Sequence, residues 1–190
     1  MEYGKFIISG QDKKVLSHVK NVLVASGHSF VGYASDTSGI LRHIRSCMPD
    51  FVIIEVSNNF RELRQTLLVI DEELICACIL ILNVRQDEVF DFIRHSRVMT
   101  YVAEPVFRES LIQIVDLSII NFKRILEYEN QVQKLNDTLE SRKLVEKAKW
   151  LLIAQEGITE AAAYEVIRRK SRDNRMPMKE IAEAIIMTRG

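Results

Sequence analysis

The residues of this chain best suited to chemistry are cations, not nucleophiles. Near its end, the run Arg168-Arg169-Lys170-Ser171-Arg172 is followed by Arg175. Like charges this crowded repel one another unless an anion screens them. Phosphate oxygens suit that role, with arginine favoured for two-pronged contact. Arg142, Lys143, Lys147, Lys149 and Lys179 are left to face solvent once the apolar positions around them are buried. The chain of 190 residues is neutral overall, but residues 141–190 hold 11 Lys and Arg against 7 Asp and Glu. A small basic segment on a neutral chain points to nucleic acid. Trp150 and Tyr164 lie among these cations and either stack on an unpaired base or pack within the segment.

No catalytic constellation competes with this reading. His18, His28, His43 and His95 are isolated and lie mostly on helix faces, where solvated or capping roles prevail. There is no Gly-rich phosphate loop and no nucleophile–base pair. Cys47, Cys76 and Cys78 sit in apolar stretches without metal-ligand spacing and read as small buried hydrophobes of a reducing compartment. The chain is therefore read as non-enzymatic, with no metal and no cofactor. It begins without a secretory pattern, and no apolar run reaches the ~18–20 residues of a membrane span. That predicts a cytoplasmic protein without membrane contact.

Three short helices must position the cations. Val145, Ala148, Leu151 and Leu152 form the stripe of the first, which Gly157 stops. Thr159 caps the second, in which Ala162, Ala163, Val166 and Ile167 face inward. Asn174-Arg175-Met176-Pro177 makes the next turn, and Ile181, Ala182, Ile185 and Ile186 line the third. Ala148, Ala163 and Ala182 allow close helix approach. Before them, residues 109–149 contain no Gly or Pro, which permits one long helix. Its heptad starts with Leu111 and Ile114, is interrupted at Ser118 and Asn121, and resumes at Ile125, Tyr128, Val132, Leu135 and Leu139. This pattern predicts a parallel coiled coil joining two copies. The alternative is a single amphipathic helix packed on its own domain.

The first half alternates apolar runs with amphipathic stretches. Strands are predicted over 5–9, 29–33, 51–56, 76–82 and 100–103, and helices over 13–25, 37–47, 60–70 and 87–95. Gly27 ends the first helix, and Asp36 or Thr37 caps the second. Strands apolar on both faces imply a parallel sheet covered on both sides. The fold class is α/β, a flavodoxin-like doubly wound sheet of five strands, then the coiled-coil helix and a C-terminal three-helix bundle. Such sheets place ligands at the carboxyl ends of the strands, here near Gly10, Glu55, Asn83 and Glu104.

The terminal segment resembles an ANTAR domain, the three-helix module of bacterial antitermination regulators. The matching residues are Arg142, Glu146-Lys147-Ala148-Lys149, Gly157, Thr159-Glu160, Ala163-Tyr164, Ile167-Arg168, Asn174-Arg175, Ile181-Ala182 and Ile185-Ile186. Trp150 departs from the glycine usual after the Ala-Lys pair. The resemblance implies binding of RNA hairpins in a leader transcript, which keeps a terminator stem from forming. Arg142, Lys147, Lys149, Tyr164, Arg168, Arg169, Arg172 and Arg175 are the expected RNA-binding residues.

The first half resembles the receiver domain of two-component response regulators, with Pro49-Asp50 before strand three, Tyr101 and Glu104-Pro105 in the family's places. Receivers need an acidic pair for Mg²⁺, an Asp that accepts phosphate, a Ser or Thr and a Lys. Aligned with these are Gly10-Gln11, Glu55, Asn83 and Glu104, with Asp12 one position beyond the pair. Glu55 either ends in solvent or imitates a phosphorylated state. The expectation is a pseudo-receiver without phosphotransfer, controlled by a regulatory protein that docks on it. Its domains would be 1–108, a coiled-coil linker over 109–140, and 141–190. The competing reading is a DNA-binding response regulator with residual phosphoacceptor activity, although no helix-turn-helix is evident.

Overall fold

Strands form where aliphatic residues run unbroken, and helices where apolar residues recur every three or four positions. The structure, a computed structural model, describes residues 3–34, 37–56, 60–83 and 86–189. Its strands are β1 (Lys5–Ser9), β2 (Ser29–Ala34), β3 (Phe51–Val56), β4 (Ala77–Leu82) and β5 (Met99–Ala103). Its helices are α1 (Lys13–Ala25), α2 (Thr37–Cys47), α3 (Phe60–Glu72), α4 (Asp87–His95), α5 (Arg108–Glu156), α6 (Glu160–Asn174) and α7 (Met178–Arg189). The chain divides into two units, Met1–Glu127 and Tyr128–Gly190. Asp36 lies outside the described residues, as does the side chain of Thr37.

The first unit is the doubly wound α/β fold. Its five strands are all parallel in the order β2-β1-β3-β4-β5. Alternation along the strands splits the core in two. Phe6, Ile8, Phe51, Ile53, Ile79 and Ile81 pack under α1 and the start of α5. Ile7, Val52, Ile54, Cys78 and Leu80 pack on the other face under α2, α3 and α4. Asp12 starts α1 by accepting from the amides of Lys14 and Val15 at 2.8 and 3.3 Å. Gly27 follows the helix with φ +97°, and a β-carbon there would come within 2.3 Å of the Tyr3 ring.

His28 departs from the solvated role expected of the histidines. It is buried, its ring stands edge-on to Phe51, and its Nδ1 accepts from the Gly4 amide at 3.2 Å. Removal from water lowers its pKa below the ordinary 6.5, partly opposed by the charges of Asp116 and Asp50.

Helix α5 corrects the heptad in its first third. Leu111, Val115 and Ile119 are buried against the sheet. Ser118, read as an interruption, is buried and paired: its hydroxyl meets Thr100 Oγ1 at 2.6 Å and donates to the Ile114 carbonyl. Ile125, expected in the dimer seam, is half-buried against this unit's own core. A sheet and a coiled-coil partner select the same periodicity, which is why the spacing did not separate them.

The second unit gathers the rest of α5, α6 and α7 around Ala148, Leu152, Ala163, Ile167, Ile181, Ala182 and Ile185. Gly157 ends α5 with φ +64°. Thr159 starts α6 by accepting from the Ala162 amide at 3.3 Å. Ala162 itself is exposed, not inward-facing. Arg175 ends α6 in a left-handed conformation with φ 54°. Arg189 pairs with Glu156, tying the end of α7 to the end of α5. No described helix is long and apolar enough to cross a membrane.

Candidate functional site

Two charged regions, one in each unit, carry the candidate chemistry. In the first, the carboxyl ends of the strands bring together the positions singled out in the sequence. Glu55, near the end of β3, turns its carboxylate back onto the loop after β1. Its Oε2 accepts from the amides of Gln11 at 2.6 Å and Asp12 at 2.9 Å. This satisfies two loop donors that strand and helix leave unpaired. The carboxylate is therefore engaged with two loop amides and does not simply end in solvent.

Gly10 makes the arrangement fit. A β-carbon there would lie 2.4 Å from Glu55 Oε2 and 2.6 Å from Glu55 Cβ. The second of these is close to the backbone and has little room to retreat. Asp12 is already engaged at the start of α1. Asn83 is exposed just beyond β4. Glu104 donates its own amide to the Leu82 carbonyl at 2.8 Å. Its carboxyl pKa is raised, first by loss of water and then by the charges of Glu55 and Asp12. Among the described residues, no group of three or more His, Cys, Asp and Glu is placed to hold a metal ion. Among the described residues, Glu104 thus shares the strand ends with the carboxylates of Glu55 and Asp12.

The second region is cationic. On α6, Tyr164, Arg168 and Arg172 follow one another at four-residue spacing, so they form one row along the helix. All three are exposed, as are Arg169, Lys170 and Arg175. Arg168 pairs with Glu165 at 2.9 Å, an exposed contact that water and salt weaken. Arg142 and Lys147 on α5 are also exposed.

Lys149 is a correction. Its side chain is only 7% exposed, and its Nζ donates to Glu146 at 2.8 Å and to Glu160 at 2.7 Å. Hydrogen bonds to Glu146 and then Glu160 raise its pKa. It joins α5 to the first turn of α6 and does not offer a free charge. Trp150 is 68% exposed, so it is not part of this unit's core. Tyr128, Val132, Leu135 and Leu139 on α5 are 52–64% exposed and recur at helical spacing, which leaves an apolar stripe uncovered within one chain.

Comparison with known proteins places this second region. Residues 133–186 match the family described as ANTAR domain. The chain carries an ANTAR domain. The match begins inside the segment expected to be linker. Along nearly its full length the chain is similar to the transcriptional regulatory protein PdtaR of Mycobacterium tuberculosis (strain H37Rv). The two are 28% identical over 186 residues, covering 98% of this chain and 91% of that one. The nitrate regulatory protein of Klebsiella oxytoca is 41% identical over 56 residues, covering 30% of this chain and 14% of that one.

Solved structures show the fold of the first unit. The signal receiver domain of a modulated diguanylate cyclase from Desulfovibrio desulfuricans G20 superposes with a TM-score of 0.55 at 16% identity, covering 64% of this chain and 98% of that one. A CheY-like response regulator receiver domain protein from Methanospirillum hungatei JF-1 gives 0.53 at 13% identity, with coverages of 65% and 98%. The chain is thus a receiver-like α/β unit with an ANTAR domain, in keeping with a regulatory protein.

Proposed function

We propose that this protein is a non-enzymatic antitermination regulator whose ANTAR domain holds hairpin RNA in a leader transcript. The observation that carries the reading is the exposed row Tyr164, Arg168 and Arg172 within that domain, flanked by Arg169 and Arg175. Arginines four residues apart suit successive phosphates, and the tyrosine ring offers a platform for an unpaired base. Arg142 and Lys147 extend the contact along α5. Lys149 acts indirectly by fixing α6 to α5.

Two copies would join through Tyr128, Val132, Leu135 and Leu139, where an apolar stripe otherwise meets water. Control is exerted by protein contact in place of phosphorylation. The acid-rich strand ends support this, since Glu55 is engaged with loop amides and Glu104 stands where a cation would be needed.

Gel shifts with a hairpin RNA and a duplex DNA of equal length, at several salt concentrations, test the reading. Tighter binding to the hairpin, sensitive to loop sequence, is the expected result. Equal binding to both would favour a DNA-binding regulator. Acetyl phosphate with Mg²⁺ should leave the intact mass unchanged, and an added phosphoryl group would refute control without phosphorylation.

A further inference from the structure

The receiver-like unit has a second charged surface, between two of its helices, that nothing above uses. A cleft of about 930 Å³ opens between α3 and α4. Leu68 and Phe92 supply its apolar surface. Phe92 is braced edge-on by Phe60 at 5.6 Å, and the Arg64 guanidinium lies 5.8 Å from its ring centre. Arg61, Arg64 and Asp71 of α3 line one side, and Glu88, Asp91 and His95 of α4 line the other.

The arginines here differ from others in the unit. Arg45 holds Glu73, Arg94 holds Asp91 and Arg97 holds Asp71. Among the described residues, Arg61 and Arg64 have no carboxylate partner, and Glu88 has no cation. Two unpaired cations therefore flank an apolar surface, with an unpaired carboxylate across from them. Exposed arginine beside an aromatic ring is the composition that concentrates binding energy at protein interfaces.

We infer that this cleft docks an acidic amphipathic helix of a regulatory protein. Carboxylates of that helix meet Arg61 and Arg64, an apolar side chain covers Leu68 and Phe92, and a cation faces Glu88. The acidic side of the cleft argues against a polyanion, because RNA or an anionic lipid surface would bring phosphates against Glu88 and Asp91. The inference rests on the reading that protein contact controls this chain, and it names the surface and the chemistry of the partner.

The test uses the full chain and two labelled synthetic helices of about 18 residues, long enough to hold helical structure. One carries two Glu four residues apart beside a Leu and a Lys; the other has Lys in place of both Glu. The wild-type chain should bind the acidic helix saturably and at least tenfold more tightly than its Lys counterpart. Arg61→Glu/Arg64→Glu should reverse that preference, and Leu68→Asp should weaken both helices.

Absence of saturable binding, equal affinity for the two helices, or unchanged preference in the double variant would overturn the inference. So would tight binding to vesicles containing an anionic lipid that Arg61→Glu/Arg64→Glu abolishes. A hairpin gel shift on the same samples separates the two readings. Selective helix binding without hairpin binding refutes the RNA function and leaves the cleft standing. Hairpin binding without helix selectivity does the reverse. A far-UV circular dichroism spectrum and thermal melt of the double variant matching wild type confirm that the receiver-like unit is still folded.

Discussion

The two charged regions handle their ions in opposite ways. At the strand ends of the receiver-like unit, Glu55 and Asp12 are satisfied from within by backbone amides. On α6, Arg169, Lys170, Arg172 and Arg175 are turned toward solvent. A charge that completes the fold is set by geometry and tolerates little change. A charge that faces water adds little to stability and is free to meet a ligand. Lys149 shows that residue type and neighbourhood do not decide which kind a charge is. It stands beside exposed Lys147 and Trp150, yet is buried against two carboxylates.

The largest expected effect is on the inward side of this contrast. Gly10→Ala forces a β-carbon toward Glu55 Cβ and should destabilise the first unit by about 1–3 kcal/mol, as overpacking does. Glu55→Gly removes that β-carbon and the carboxylate with it, so the double variant should lose less than the sum of the single changes in urea unfolding. Additive losses would show that the two residues do not share the space.

On the outward side, Arg168→Ala/Arg172→Ala should weaken hairpin binding by about tenfold or more and shallow its salt dependence. Its Tm should stay within about 2 °C of wild type, as is usual for exposed positions. Lys149→Ala should do the opposite in part: it lowers Tm clearly, and hairpin affinity falls with it because α6 loses its anchor. Thermal melts and gel shifts on the same preparations check the pair. Loss of binding without loss of Tm in Lys149→Ala would return that lysine to the RNA surface.

Much of this arrangement was legible in the residues. Unbroken runs such as Phe51–Val56 and Ala77–Leu82 have few other uses than interior strands of a parallel sheet. Thr159 serves as a helix start in a purely local way. Less was legible wherever a contact joins distant segments. The Glu55 bond to Gln11 spans 44 positions, and only the lack of a side chain at Gly10 hinted at it. For Lys149, Glu146 lies three residues back and is visible, but Glu160 lies beyond a turn. Leu111 and Leu135 share one helical periodicity, although one is buried under the sheet and the other is exposed. Periodicity reports that a face is apolar and does not say what covers it.

Smaller effects sharpen the comparison through pH. Glu104 has a raised pKa, so its ionised form disfavours the fold, and Glu104→Gln should raise Tm at neutral pH by about 1–2 °C after solvent screening. The gain should vanish in acid, where wild-type Glu104 is protonated as well. His28 behaves differently. Its folded pKa lies below the 6.5 of the unfolded chain, so below pH 6.5 the unfolded state binds more protons. Stability is therefore full above that value and falls as the pH drops toward the folded pKa, because the imidazolium has no place between Phe6 and Phe51. In melts of the wild-type chain from pH 7.5 to 5.5, His28→Gln should flatten this decline while starting from a lower Tm. An unchanged slope in the variant would assign the acid loss to other groups.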